Sequence, residues 1–137
     1  MASKNIKGIT VEIGGDTTGL DKALSDVNKQ ANTLSAEMRQ VDNALKNIDP
    51  DSTELLAQKQ EILSKQIEVA TDKLNALNIA NKSLEQQFKD GDIDKGEYDK
   101  FKKKIEDTEK KLNKLKVQQE SIEQQLSLIH ISEPTRL

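Results

Sequence analysis

Three observations predict an all-α fold, with long heptad-patterned helices (a coiled coil, an antiparallel helical hairpin or a three-helix arrangement) preceded by one short β-strand. Apolar residues recur at alternating spacings of four and three along three successive stretches, which is the pattern of a helix–helix seam. Of the 137 residues, 34% are apolar, 33% charged and only 2% aromatic. That composition suits helices that each bury one stripe and leave the rest in water, and it argues against a deep substrate pocket. The seam is interrupted at Asp49-Pro50 and again at Gly91, where α geometry is disfavoured. The length allows one ordinary domain.

The first element is the strand. Ile9, Val11 and Ile13 alternate with Gly8, Thr10 and Glu12, and Gly14-Gly15-Asp16 follows as a turn. Two glycines do not make a phosphate loop here, because no third glycine and no Lys-Ser or Lys-Thr follows in Walker order. These residues are expected to form an N-terminal unit over 1–18.

The first helix is expected over 19–48, with Thr18 as its cap and Asp21 three residues on. Its seam reads Leu20, Leu24, Val27, Ala31, Leu34, Met38, Val41, Leu45 and Ile48. Pro50 ends it, and Asp51 with Glu54 forms a capping-box-like restart. The second helix, over 52–89, carries Leu56, Gln60, Leu63, Ile67, Ala70, Leu74, Leu77, Asn81, Leu84 and Phe88. Gln60 and Asn81 are polar at seam positions, where a buried amide fixes register and a wet seam simply tolerates it. Gly91 breaks this helix, and Asp94 with Glu97 caps the next. The third helix, over 95–125, carries Tyr98, Phe101, Ile105, Thr108, Leu112, Leu115, Gln119, Ile122 and then Leu126. Glu106 with Lys110 and Asp107 with Lys111 are four apart and support its exposed face. Together, 19–125 read as one helical region folding back at Pro50 and Gly91, or bundling with other chains.

Several function classes are disfavoured on composition. With no cysteine, disulfides, thiolate chemistry and cysteine-ligated zinc drop out. No apolar run approaches the roughly 20 residues that span a bilayer, and the start lacks a signal-peptide core. A net charge of −3 gives no global reason to expect nucleic acid. Lys100, Lys102, Lys103, Lys104, Lys110, Lys111, Lys114 and Lys116 make the third helix locally basic, yet Tyr98 and Phe101 lie on its seam rather than on that face. The run from Asp90 to Glu97 resembles the start of a calcium loop but puts Lys95 and Phe101 where that loop needs glycine and a bidentate glutamate. Carboxylates on solvated helix faces lack a pocket to perturb them. No enzyme activity, cofactor, metal or small-molecule substrate is expected.

Residues 126–136, Leu-Ser-Leu-Ile-His-Ile-Ser-Glu-Pro-Thr-Arg, resemble the translation of a transposase-type sequencing adapter over eleven codons. Residues 126–137 are therefore set aside as a scar rather than a domain, and the natural reading frame is expected to continue. This leaves the native portion without His130, the one histidine.

Residues 6–24, Ile-Lys-Gly-Ile-Thr-Val-Glu-Ile-Gly-Gly-Asp-Thr-Thr-Gly-Leu-Asp-Lys-Ala-Leu, resemble the N-terminus of phage tail tape measure proteins. So do residues 49–60, Asp-Pro-Asp-Ser-Thr-Glu-Leu-Leu-Ala-Gln-Lys-Gln, followed by a long helix. The strand, Gly-Gly-Asp turn and helix combined with the Asp-Pro break carry the resemblance, which extends to about residue 126; Gly96 in the first turn of the third helix departs from it. The resemblance implies a virion structural protein inside the tail tube, made in the bacterial host cytoplasm. It would act as tail-length ruler and scaffold, with itself, tail tube subunits and tail assembly proteins as partners. A generic bacterial coiled-coil scaffold is the alternative, and a basic-faced DNA binder comes third. A helix advances about 1.5 Å per residue, so a straight helical chain converts residue count into length.

Overall fold

A computed structural model describes residues 18–131 as three α-helices: α1 (Thr18–Asn47), α2 (Thr53–Lys89) and α3 (Lys95–Ile131). The expected strand at Ile9, Val11 and Ile13 lies outside the described residues, among which there is no strand.

The turns show why the helices end where they do. After α1, the Asp51 amide donates to Asp49 Oδ1 at 3.0 Å, a local turn that Pro50 favours. Ser52, not Asp51, caps α2: its backbone is extended and its hydroxyl accepts from the Leu55 amide at 3.2 Å. Ile48 falls beyond the last turn of α1 and is 78% exposed, so the seam of that helix stops at Leu45. After α2, Gly91 takes φ +82, a left-handed conformation that glycine adopts without steric penalty. The Gly91 amide donates to the Phe88 carbonyl at 3.1 Å and the Asp92 amide to the Gln87 carbonyl at 2.8 Å. These two bonds are a Schellman motif, which satisfies carbonyls the helix end would orphan. Asp94 Oδ1 accepts from the Glu97 amide at 2.8 Å and opens α3.

Helix α3 continues to Ile131, six residues past the expected end at Gln125. Nothing between Leu126 and Ile131 breaks a helix, and the next proline is Pro134. Leu126 packs against the lower core, whereas Leu128 is 66% exposed.

The three helices run antiparallel, with α2 in the middle. Lys59 of α2 pairs with Asp42 of α1, and Gln60 of α2 reaches Glu123 of α3, so the start of α2 meets the end of both neighbours. At the opposite end Phe88 stacks on Tyr98, ring centroids 4.7 Å apart. Having two neighbours, α2 must bury a wider arc than either of them. Ile62, Val69, Ala76 and Ala80 join a cluster that holds Leu20, Val27 and Leu34 of α1 and, at its other end, Phe101 of α3. One position along, Leu63 and Ala70 join Leu112, Leu115 and Ile122 of α3. The single-seam reading of this helix missed the first of these stripes. Leu55, Ile62, Val69 and Ala76 recur every seven residues, and that second repeat was the available signal.

Candidate functional site

The surfaces where the helices meet are the only functional candidates the sequence named. Leu20, Leu24, Val27, Leu34 and Val41 of α1 are buried, with Met38 and Leu45 half-buried. On α2, Leu56, Leu63, Leu77 and Leu84 are buried, and Ile67, Leu74 and Phe88 half-buried. On α3, Phe101, Leu112, Leu115 and Ile122 are buried, and Tyr98 and Ile105 half-buried. All of these lie within or against two apolar clusters, apart from Leu56, which is buried without joining either.

The polar seam residues are held differently from one another. The Gln60 amide donates to Glu123 Oε1 at 3.2 Å and the Gln119 amide to the Ser64 hydroxyl at 2.9 Å, two cross-ties between α2 and α3. Asn81 is half-buried, and its Oδ1 is buried without a hydrogen-bond partner. The Thr108 hydroxyl donates back to the Lys104 carbonyl at 2.8 Å, which lets a threonine sit buried in a helix. Asp72, which sequence reasoning passed over, is only 7% exposed with Oδ2 unpartnered. Burial, and then the neighbouring Glu68 carboxylate, push its pKa up.

The basic run of α3 stays exposed, every one of its eight lysines. The Tyr98 ring beside it is already engaged, stacked on Phe88 and capped by the Lys102 ammonium 5.2 Å from its centroid. The pairs Glu106–Lys110 and Asp107–Lys111 do not close to within 4 Å; the i,i+4 bridges that do are Glu61–Lys65 and Glu85–Lys89. Exposed pairs of this kind gain only about 0.3–0.5 kcal/mol, whether or not they close. In the calcium-like run, Asp90 accepts from the Gln86 side chain and Asp94 from a backbone amide, so both serve the turn. Among the described residues no three or more acidic or histidine side chains gather to hold a metal, and no helix is long and apolar enough to cross a membrane.

No family model, curated protein or solved structure matches the chain.

The described residues also form concave features, of which a groove between the helices carries the most charge. A groove of about 700 Å³ runs between α1 and α3 over the middle of α2. Leu24, Val27 and Ala31 form one wall, Val69, Ala70 and Leu77 the floor, and Leu115 with Thr108 the other wall. Lys73, Lys104 and Lys111 open onto it, as do Asp21 and Asp107. Burial holds the Lys73 ammonium below the usual lysine pKa, and Lys111 and then Lys104 lower it further.

Proposed function

We propose that the chain is a structural segment of a phage tail tape measure protein, its N-terminal region, acting as length ruler and scaffold for tube assembly. The resemblance of residues 6–24 and 49–60 supplies the identity. The physical observation that supports it is the near-continuous helix between Thr18 and Ile131, broken only by two five-residue turns. In such a chain residue number is length. Folded back, its span is set by the 37-residue helices, about 56 Å at helical rise. Opened at the turns into one path, the 108 residues from 18 to 125 reach about 160 Å.

Seams that close within one chain can also close between chains, so the coiled-coil bundle of several copies is the assembled form in this reading. Its partners are other copies, tail tube subunits and tail assembly proteins, its location is the tube interior, and it has no catalytic role. The alternative, a bacterial coiled-coil scaffold outside any tail, is favoured by one observation: the helices already satisfy their main stripes antiparallel within one chain, with no tube needed to align them.

The complete reading frame and its neighbours test the assignment. Tail tube and tail assembly genes directly upstream are expected, and an open frame extending well beyond codon 126. In the intact phage, deleting two heptads in frame should shorten the tail by about 21 Å. A native stop soon after codon 126, or a tail of unchanged length, would remove the ruler.

A further inference from the structure

Helices α1 and α3 both pack along α2 but scarcely touch each other. The groove between them has a cause that can be read from side-chain size. Asp42 pairs with Lys59, so eleven residues back along α1 and eleven forward along α2 bring Ala31 level with Ala70. Gln60 pairs with Glu123, and ten residues along each places Asn113 of α3 near the same level. Two alanines, Ala31 and Ala70, thus stand at one level on α1 and α2, and Thr108 takes a seam position of α3 about one turn from Leu112. The lining spans 21–32, 66–77 and 104–115, eleven rises on each helix and about 17 Å, or three helical turns.

The charges around the groove are unbalanced. Lys73, Lys104 and Lys111 approach it from two helices, and none of them makes an ion pair within 4.0 Å. Asp21 and Asp107 also line it, yet the mutual effect of the three ammonium groups at Lys73 is unfavourable to charge. The lysines flank a strip of apolar side chains, Leu24, Val27, Val69, Leu77 and Leu115, that is interrupted by Asn28, Asn32, Gln66 and Thr108, and they give the groove a basic rim of the kind a helix can dock against.

We propose that this groove is the docking site of a fourth helix from a partner protein. It takes a segment of about three turns whose apolar stripe is flanked by carboxylates. The fit is threefold: length matches three turns, the apolar strip completes a local four-helix core, and carboxylates neutralise Lys73, Lys104 and Lys111. A second copy of this chain does not supply that chemistry. Helix α1 carries Lys22, Lys29, Arg39 and Lys46 against Asp21, Asp26, Glu37 and Asp42, α2 has five charges of each sign, and α3 is net basic. The proposal does not depend on the chain being a tail component.

The test uses the full chain and two fluorescein-labelled peptides of about 18 residues, long enough to hold a helix. Both carry leucine at a and d and alanine elsewhere; one has glutamate at e and g, the other lysine. Fluorescence anisotropy should show the glutamate peptide binding at least about tenfold tighter than the lysine peptide, with the gap shrinking at about 0.5 M salt. The double variant Lys104→Glu with Lys111→Glu should reverse the preference. Ala31→Leu should fill the groove and abolish binding of both peptides, while the melting temperature is kept or raised. Equal binding of the two peptides, no binding of either at millimolar concentration, or a dimer of the chain itself that Ala31→Leu dissolves would each overturn the proposal.

Discussion

Replacing Ile62 and Ile79 by alanine, one at a time, asks the same chemical question at two places on one helix. Both side chains lose three carbons, worth about 2.4 kcal/mol if fully buried at ~0.8 kcal/mol per carbon. Ile62 is 8% exposed and Ile79 51% exposed. At Ile62 nearly all of the transfer term applies, and the gap left against α1 adds a cavity term, giving about 2–5 kcal/mol. At Ile79 roughly half the transfer term applies and water fills the space. Alanine's better helix propensity returns a few tenths of a kcal/mol, leaving about 1 kcal/mol or less. For a chain of this size about 3–5 °C of melting temperature corresponds to 1 kcal/mol. Ile62→Ala should therefore melt at least about 6 °C lower, and Ile79→Ala within about 4 °C of the parent. Thermal denaturation followed by circular dichroism at 222 nm, with urea titration for the free energies, measures both. Equal losses, or a larger loss at Ile79, would mean that α1 does not pack on the Ile62 stripe and that α2 is not the central helix.

Asn81→Leu removes an amide whose oxygen is buried without a partner, so it should stabilise the chain by about 1–3 kcal/mol with no change in sedimentation. An altered stoichiometry would place Asn81 in a seam between chains instead. Lys73→Met concerns pH. The folded pKa of Lys73 lies below the unfolded value, so the unfolded chain binds more protons between the two, and stability from this group rises as pH climbs through that window towards 10.5. The variant should be more stable than the parent near neutral pH and should lack that alkaline rise; a rise identical to the parent's would show that Lys73 is not its source. Ending the chain after Leu126 should leave the melting temperature unchanged, because Leu126 closes the lower cluster and Leu128 is exposed. A drop of several degrees would show that the residues beyond it pack against the helices.

Spacing alone determined that there are three helices and roughly where they turn. Heptad recurrence, Pro50 and Gly91 act within a few residues of themselves, so they are legible without knowing any distant contact. Asp94 was legible as a cap for the same local reason, whereas Ser52 was overlooked in favour of Asp51. Helix order in space was not legible. A heptad stripe states that a helix needs a partner but not how many it has. Only packing decided that α2 lies between two neighbours and buries Ile62, Val69, Ala76 and Ala80 as well as its first seam. The groove is likewise tertiary. Ala31, Ala70 and Thr108 are unremarkable in sequence, and they leave a space only because antiparallel register sets them close together. Burial of Asp72 and the lowered pKa of Lys73 follow from the same cause, since solvent exclusion and charge proximity depend on what the other helices bring near.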